Sequence, residues 1–168
     1  MNKNVSGRIS SSNLLTGPKL ILFFDTSNFD WLEFALIGAK EERGFEKVWQ
    51  QKIKAAHFDS EAALPALIEF LKKHRIRFDH GAAAISKIYF VSGPGSFSGI
   101  RVGASIALAL QFAWKVPVFA LEKSQVPKRF SAETFAKTKT KKINSVPELD
   151  YGAAPNITKE KKKKLKHT

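Results

Sequence analysis

One glycine loop has residue types and spacing that could do chemistry. It lies between a short apolar run and a long one, and it consists of Gly93, Pro94, Gly95, Ser96, Phe97 and Ser98. Glycine and proline allow a sharp reversal of the chain, so the pattern predicts strand, tight turn and helix. Ser98 is the predicted N-cap of that helix. Backbone N–H groups at a helix start attract anions, so the loop is a candidate anion site.

The loop lacks the features of the common phosphate loops. A Walker A loop needs Lys and Ser or Thr after its last glycine, but Ile100 and Arg101 follow Gly99. The third glycine also comes one place too late for a dinucleotide fingerprint. The alternative is a connection whose glycines serve packing. Arg101 opposes the helix dipole in the first turn, which predicts a carboxylate or phosphate partner.

Other catalytic and metal-binding patterns are weak in this sequence. His57 is followed four residues later by Glu61, while His74 and His80 are out of helical register with it. We therefore expect no metal site. The serines of the glycine loop have no evident base partner. The sequence contains no cysteine, which excludes disulfides and thiolate metal sites and is compatible with a reducing cytoplasm.

Hydrophobic patterning predicts a mixed α/β domain. The expected strands cover residues 19–25, 31–38, 45–56, 88–91 and 116–121, and the two main helices cover 60–73 and 99–114. In this order an antiparallel meander leads into right-handed crossovers. The same order is found in the N-terminal lobe of the ribonuclease H-like, actin-like ATPase (sugar kinase-like) fold. The predicted sheet is mixed and has five strands. In that superfamily the first phosphate loop corresponds to Asp25, Thr26 and Ser27. We interpret this turn as vestigial, with Asp25 ordering its own turn.

Both main helices carry apolar surface that suits a partner. The second helix is apolar nearly all round, and a chain of this length has little left to cover it. Small residues four apart form a ridge that lets another helix approach. The predicted partner interface comprises Leu64, Leu67, Ile68, Leu71, Gly99, Arg101, Gly103, Ile106, Ala107 and Leu110. On this hypothesis, Gly103→Leu abolishes the partner complex and leaves the monomer folded.

The charge is concentrated at the C-terminal end. The formal net charge is +13, and residues 123–168 contribute 13 Lys and Arg against 4 Asp and Glu. We predict a disordered leader (1–18), a folded lobe (19–122) and a basic, mostly disordered tail (123–168) with a short helix near 132–137. The charge run near the end is either a solvated surface or a salt-dependent contact with RNA phosphates, with Lys161, Lys162, Lys163 and Lys164 as the candidate residues. No segment reaches the roughly 18 to 20 apolar residues of a membrane span.

Three stretches resemble the bacterial TsaB (YeaZ-like) family. They are residues 20–28 (LILFFDTSN), residues 57–61 with Leu64 and Pro65, and residues 91–103 (VSGPGSFSGIRVG). The resemblance covers about residues 19–122, and its most specific part is the glycine loop. Residues 147–151 (PELDY) are similar to a short P-x-x-Y element near the family's C-terminus, with one residue more between Pro and Tyr. Too few residues follow the lobe for the second lobe that family members carry.

The resemblance implies a role in making N6-threonylcarbamoyladenosine (t6A) in tRNA. It implies a non-catalytic cytoplasmic subunit that pairs through its two helices with a TsaD-type paralogue. That paralogue holds the metal and transfers the threonylcarbamoyl group. A TsaE-type ATPase joins the pair, so ATP and metal are expected on the partners and none on this chain. tRNA is reached through the complex, and the same helices could form a homodimer. No membrane contact is implied.

Two other function classes stay open at the level of sequence. One is an autonomous basic RNA-binding module, in which deletion of residues 156–168 removes RNA binding but not partner binding. The other is a residual nucleotide-binding phosphotransferase or ATPase, whose turnover would be lost on Asp25→Ala.

Overall fold

The structure, a computed structural model, describes residues 20–40, 46–54, 60–145 and 147–151. These residues form one sheet with helices on both faces. The strands are β1 (Leu20–Asp25), β2 (Trp31–Lys40), β3 (Glu46–Lys54), β4 (Ile85–Gly93), β5 (Val118–Glu122) and β6 (Lys141–Ile143). The helices are α1 (Ala63–Lys73), α2 (Gly81–Ala84), α3 (Phe97–Trp114) and α4 (Ala132–Lys137), with 3₁₀ turns at Ser60–Ala62, Phe78–His80 and Lys123–Gln125.

The sheet is mixed and has the order β3-β2-β1-β4-β5-β6. Strands β1, β2 and β3 form an antiparallel meander, β1, β4 and β5 are parallel, and β6 pairs antiparallel with β5. Helix α1 lies in the connection from β3 to β4, and α3 in the connection from β4 to β5. The predicted fold class, a ribonuclease H-like or actin-like lobe, is therefore confirmed, and the sheet has one more strand than we predicted.

The apolar core lies on both sides of the sheet, because β1 is buried on both of its faces. Leu22 and Phe24 point toward α1 and α3, and they belong to the larger cluster. Phe23 points to the other side, where it meets Tyr89 of β4 and Phe135 of α4. A continuous apolar run ending in an acid, as in LILFFD, is what such a central strand requires.

Several predicted boundaries were wrong by a few residues. Strand β2 continues to Lys40, beyond its predicted end, and β4 begins earlier, at Ile85. Helix α1 follows a 3₁₀ turn and has Ala62 as its N-cap, with no side-chain cap. His57 lies outside the described residues, as does the predicted leader.

The first part of the predicted disordered tail is folded. Residues 132–137 form α4, as predicted, and β6 extends the sheet beyond the lobe that we delimited. Phe135 is 1% exposed and Ile143 is 3% exposed, so both belong to the core. These two side chains anchor the segment, and Val126, Phe130 and Leu149 pack against the core beside them. Residues 152–168, with Lys161, Lys162, Lys163 and Lys164, lie outside the described residues.

Candidate functional site

The Asp25 turn is tied together by its own side chains. Asp25 is 6% exposed, and its Oδ1 accepts a hydrogen bond of 2.7 Å from the backbone N–H of Ser27. Such a bond across two residues is an Asx turn, which fixes the backbone locally. The carboxylate therefore orders the turn in which it lies.

The glycine loop closes directly onto this turn. The N–H of Ser96 donates to the carbonyl of Ser27 over 2.7 Å. A Cβ placed on Gly95 would lie 2.2 Å from the same carbonyl oxygen, so only glycine allows this approach. The hydroxyl of Ser27 is buried and has no hydrogen-bond partner among the described residues. The space above the turn is thus filled by the chain's own backbone.

Helix α3 begins two residues earlier than predicted, at Phe97. Ser96, not Ser98, is the N-cap, because its Oγ accepts from the N–H of Gly99 over 3.3 Å. The bond from Ser96 to Ser27 already fixes the backbone of Ser96, which places its hydroxyl at the first turn. Ser98 is exposed, and its Oγ lies 3.5 Å from that of Ser96.

The small-residue ridge of α3 faces the chain's own sheet. Thr26 donates its hydroxyl to the carbonyl of Gly99 over 2.7 Å, and a Cβ on Gly103 would lie 2.3 Å from the same hydroxyl. The ridge therefore brings α3 close to the end of β1. Most of the predicted interface is likewise buried in the chain's own core, which corrects that prediction: Leu67, Leu71, Gly99, Gly103, Ile106, Ala107 and Leu110.

The other three residues of the predicted interface reach solvent. Leu64 is 41% exposed, Arg101 is exposed and Ile68 is half-buried. The guanidinium carbon of Arg101 lies 4.6 Å from the ring centroid of Phe97, which is itself 53% exposed. The cation that opposes the helix dipole thus has an aromatic partner, in place of the carboxylate or phosphate that we predicted.

A second row of small residues lies on the outer side of α3. Ser105, Ala109 and Ala113 follow Arg101 at steps of four residues, and all are exposed. Residues four apart share one side of a helix, so the row is continuous. With the exposed start of α1 it forms a surface that we call the outer helical face: Leu64, Pro65, Phe97, Arg101, Ser105 and Ala109.

Residues 147–151 fasten the end of the described chain beside this face. The N–H of Asp150 donates to the carbonyl of Ser92 over 3.1 Å. Gly93 has φ of 130°, and a Cβ there would lie 1.9 Å from the carbonyl oxygen of Asp150. The ring of Tyr151 then packs on Phe97 at a centroid distance of 4.6 Å. The sequence did not predict the contact between Phe97 and Tyr151, although Tyr151 belongs to the stretch that resembles the P-x-x-Y element.

The described histidines are not arranged as metal ligands. His74 packs against Phe70 and Trp49, with ring centroids at 4.8 and 5.6 Å. Burial, and then the charge of Lys73, lower its pKa below the ordinary value. His80 is exposed beside Asp79, and the part of the chain that the structure describes holds no group of three or more His, Asp or Glu suited to a metal.

Helix α3 is long and apolar enough to cross a membrane, by length and composition alone, although we had expected no segment to reach that length. Its inner side packs on the sheet through Ile100, Ile106 and Leu110, which accounts for much of its apolar character.

Comparisons with known proteins point to one pathway. The family model described as TsaD, tRNA N6-adenosine threonylcarbamoyltransferase, matches residues 52–126. A curated relative, the tRNA threonylcarbamoyladenosine biosynthesis protein TsaB of Buchnera aphidicola, is 30% identical over 80 residues, which are 48% of this chain and 33% of the relative. The chain is similar to TsaB/YeaZ proteins. The match is partial, since this chain spans about one third of that relative's length.

Solved structures include similar chains. YeaZ from Pseudomonas aeruginosa is 26% identical with a TM-score of 0.45, covering 62% of this chain and 44% of that one. A second Pseudomonas aeruginosa structure, with similarity to peptidase YEAZ, has the same identity and TM-score and is covered over 43%. RuvC of Thermus thermophilus is 15% identical with a TM-score of 0.41, over 70% of this chain and 75% of that chain.

Proposed function

We propose that this chain is a non-catalytic scaffold subunit of the t6A machinery, which docks its outer helical face on a TsaD-type catalytic subunit. The complex would work in the cytoplasm on tRNA, with a TsaE-type ATPase as a further member. ATP and metal would be held by the partner subunits. TsaB/YeaZ similarity supports involvement in t6A biosynthesis, and the docking role is the proposal.

The extent of the family match supports pairing between like lobes. The TsaD family model matches residues 52–126, which include all of α1 and α3. Two chains that share this lobe can present the same pair of helices to each other. Pairing through equivalent surfaces is the usual geometry of two-fold assemblies.

The outer helical face carries the argument because it combines three features of an interface. Phe97 and Leu64 expose large apolar side chains, whose burial is worth about 25 cal/mol per Å². Ser105 and Ala109 are small and let a facing helix come close. Arg101, stacked on Phe97, adds a residue type enriched in binding hot spots.

The state of the Asp25 turn supports a non-catalytic role. The carboxylate of Asp25 is engaged with the N–H of Ser27, and Gly95 packs onto the carbonyl of Ser27. A phosphate bound at this turn would have to displace the glycine loop. The turn therefore serves to fix the start of α3, which carries the outer helical face.

Co-purification with the TsaD-type protein of the same genome tests the proposal. The wild-type chain should form a stable heterodimer, while Arg101→Glu and Ala109→Arg should abolish it. Both positions are exposed, so circular dichroism and thermal unfolding should show a folded chain in each case.

Lys87→Glu provides the matched control, because this exposed lysine precedes Tyr89 and Val91 on the side of β4 that faces away from α1 and α3. It reverses a charge without touching the outer helical face and should keep the complex. Retention of the complex by Arg101→Glu and Ala109→Arg would refute the assigned face. A self-dimer lost on the same changes, with no heterodimer, would refute the choice of partner.

A further inference from the structure

A second exposed aromatic surface lies at the opposite end of α3. The C-terminal turn of α3, the residues that lead into β5 and the end of β6 enclose an open groove of about 700 Å³. Phe112, at its rim, is 77% exposed and is the most exposed of the large apolar side chains that the structure describes. The groove is lined by Leu108, Gln111, Phe112, Lys115, Val116, Pro117, Lys142 and Asn144.

The groove has charge of one sign. Lys115 and Lys142 contribute ammonium groups, and the described lining residues include no Asp or Glu. Lys115 caps α3 in the left-handed conformation, with φ of 54°, so its charge also offsets the negative end of the helix dipole. Its Nζ lies 4.2 Å from the ring centroid of Phe112. The ammonium group thus lies over one face of the exposed ring.

The groove also offers two carboxamides, which can hydrogen-bond the edges of a base. Gln111 uses its Nε2 to donate to the carbonyl of Ile143 over 2.8 Å, which fixes its side chain and ties α3 to β6. Asn144 is exposed at the end of β6. Carboxamides can hydrogen-bond the edges of a base, an aromatic ring can stack on its face, and lysines can hold the adjacent phosphates.

We propose that this groove binds unpaired nucleotides of single-stranded RNA, with one base stacked on Phe112 and the flanking phosphates on Lys115 and Lys142. The choice of RNA over DNA rests on the proposed function. Positive charge without carboxylates fits a polyanion, and an exposed ring beside it fits a base that is free to unstack. Duplex RNA keeps its bases paired and would gain only the phosphate contacts.

Fluorescence anisotropy with the full chain tests this site. The probes are a labelled single-stranded RNA of about 12 nucleotides, the same sequence as DNA, and the same RNA as a duplex. Phe112→Ala should weaken single-strand binding by about 5- to 100-fold and leave duplex binding unchanged, because stacking is lost. Lys115→Gln with Lys142→Gln should flatten the salt dependence of binding between about 50 and 200 mM salt.

Phe97→Ala and Lys87→Gln are the matched controls, since each removes an exposed side chain of the same type outside the groove. Both should bind single-stranded RNA like the wild type. Equal losses in Phe97→Ala and Phe112→Ala, unchanged binding in Phe112→Ala, or no binding by the wild type would overturn the site. Equal affinity for DNA would overturn the choice of RNA.

Experiments can refute the RNA site and partner docking independently of each other. Phe112→Ala should co-purify with the TsaD-type partner, because Phe112 lies at the C-terminal end of α3, about one turn beyond Ala109, the last residue of the outer helical face. Arg101→Glu should lose the partner and keep RNA binding by the chain alone. The opposite pattern, with Phe112→Ala losing the partner and keeping RNA, would refute the RNA assignment.

Discussion

The hydroxyl of Thr26 donates a hydrogen bond to the carbonyl of Gly99 over 2.7 Å, and joins the turn after β1 to the first turn of α3. The same hydroxyl lies where a Cβ on Gly103 would be, at 2.3 Å. One short side chain therefore determines how close the helix can come to the sheet. This contact explains why α3 carries glycine at two positions one turn apart.

Gly103→Ala should destabilise the fold by about 1–3 kcal/mol, because the added methyl group overpacks against Thr26. The larger Gly103→Leu should prevent folding, which differs from the sequence-based hypothesis that the monomer survives. Urea unfolding followed by circular dichroism measures both. Ser105→Ala, on the outer side of the same helix, should stay within about 0.5 kcal/mol of the wild type. A folded, stable Gly103→Leu monomer would mean that the ridge faces solvent.

Phe135→Ala should cost about 3–5 kcal/mol in the free energy of unfolding, as expected for a fully buried aromatic residue. Its ring meets Phe23 at 5.6 Å and Tyr89 at 4.8 Å between centroids, so truncation leaves a cavity on that side of the sheet. Phe112→Ala is the comparison, because that ring is exposed and its loss should be nearly neutral. If both variants unfold like the wild type, α4 does not contribute to the core.

Asp25→Ala should destabilise the chain by about 1–3 kcal/mol, because the buried N–H of Ser27 loses its acceptor. Asp25→Asn keeps an oxygen at that position and should lose less. Both folded variants should still bind the partner, as measured by co-purification. If the wild type hydrolyses a nucleotide and Asp25→Asn abolishes turnover without loss of stability, the residual phosphotransferase interpretation is correct.

His74 should make stability depend on pH near neutrality. Its pKa in the fold is lowered from the ordinary 6.5 by burial, with Lys73 adding to the shift, so the unfolded chain binds the proton more readily. Stability is then highest above the ordinary pKa and falls as the pH drops through it. The loss of thermal stability between about pH 7.5 and pH 5.5 should be smaller in His74→Gln than in the wild type. An identical loss in both would contradict this role.

Hydrophobic patterning predicted the central strand, the meander and both main helices, because each has an apolar period or an uninterrupted apolar run. It could not assign the faces of α3. In a helix that is apolar nearly all round, the pattern does not show which side faces the sheet. The contact with Thr26 determines that Gly99 and Gly103 are the small residues on the inner side. It also missed β6, since Lys141 and Lys142 are exposed and only Ile143 is buried. The predicted N-cap, Ser98, was wrong because the hydrogen bond from the N–H of Ser96 to the carbonyl of Ser27 fixes the backbone of Ser96, which then caps the helix.

Tyr151, at the end of the described chain, packs on Phe97 of the outer helical face. This contact can form only after the chain has been synthesised as far as residue 151. The ribosome releases α3 before it releases Tyr151, and until then one side of Phe97 lies open. A partner that contacts the Phe97–Tyr151 pair would therefore distinguish a chain translated through Tyr151 from a nascent or clipped one.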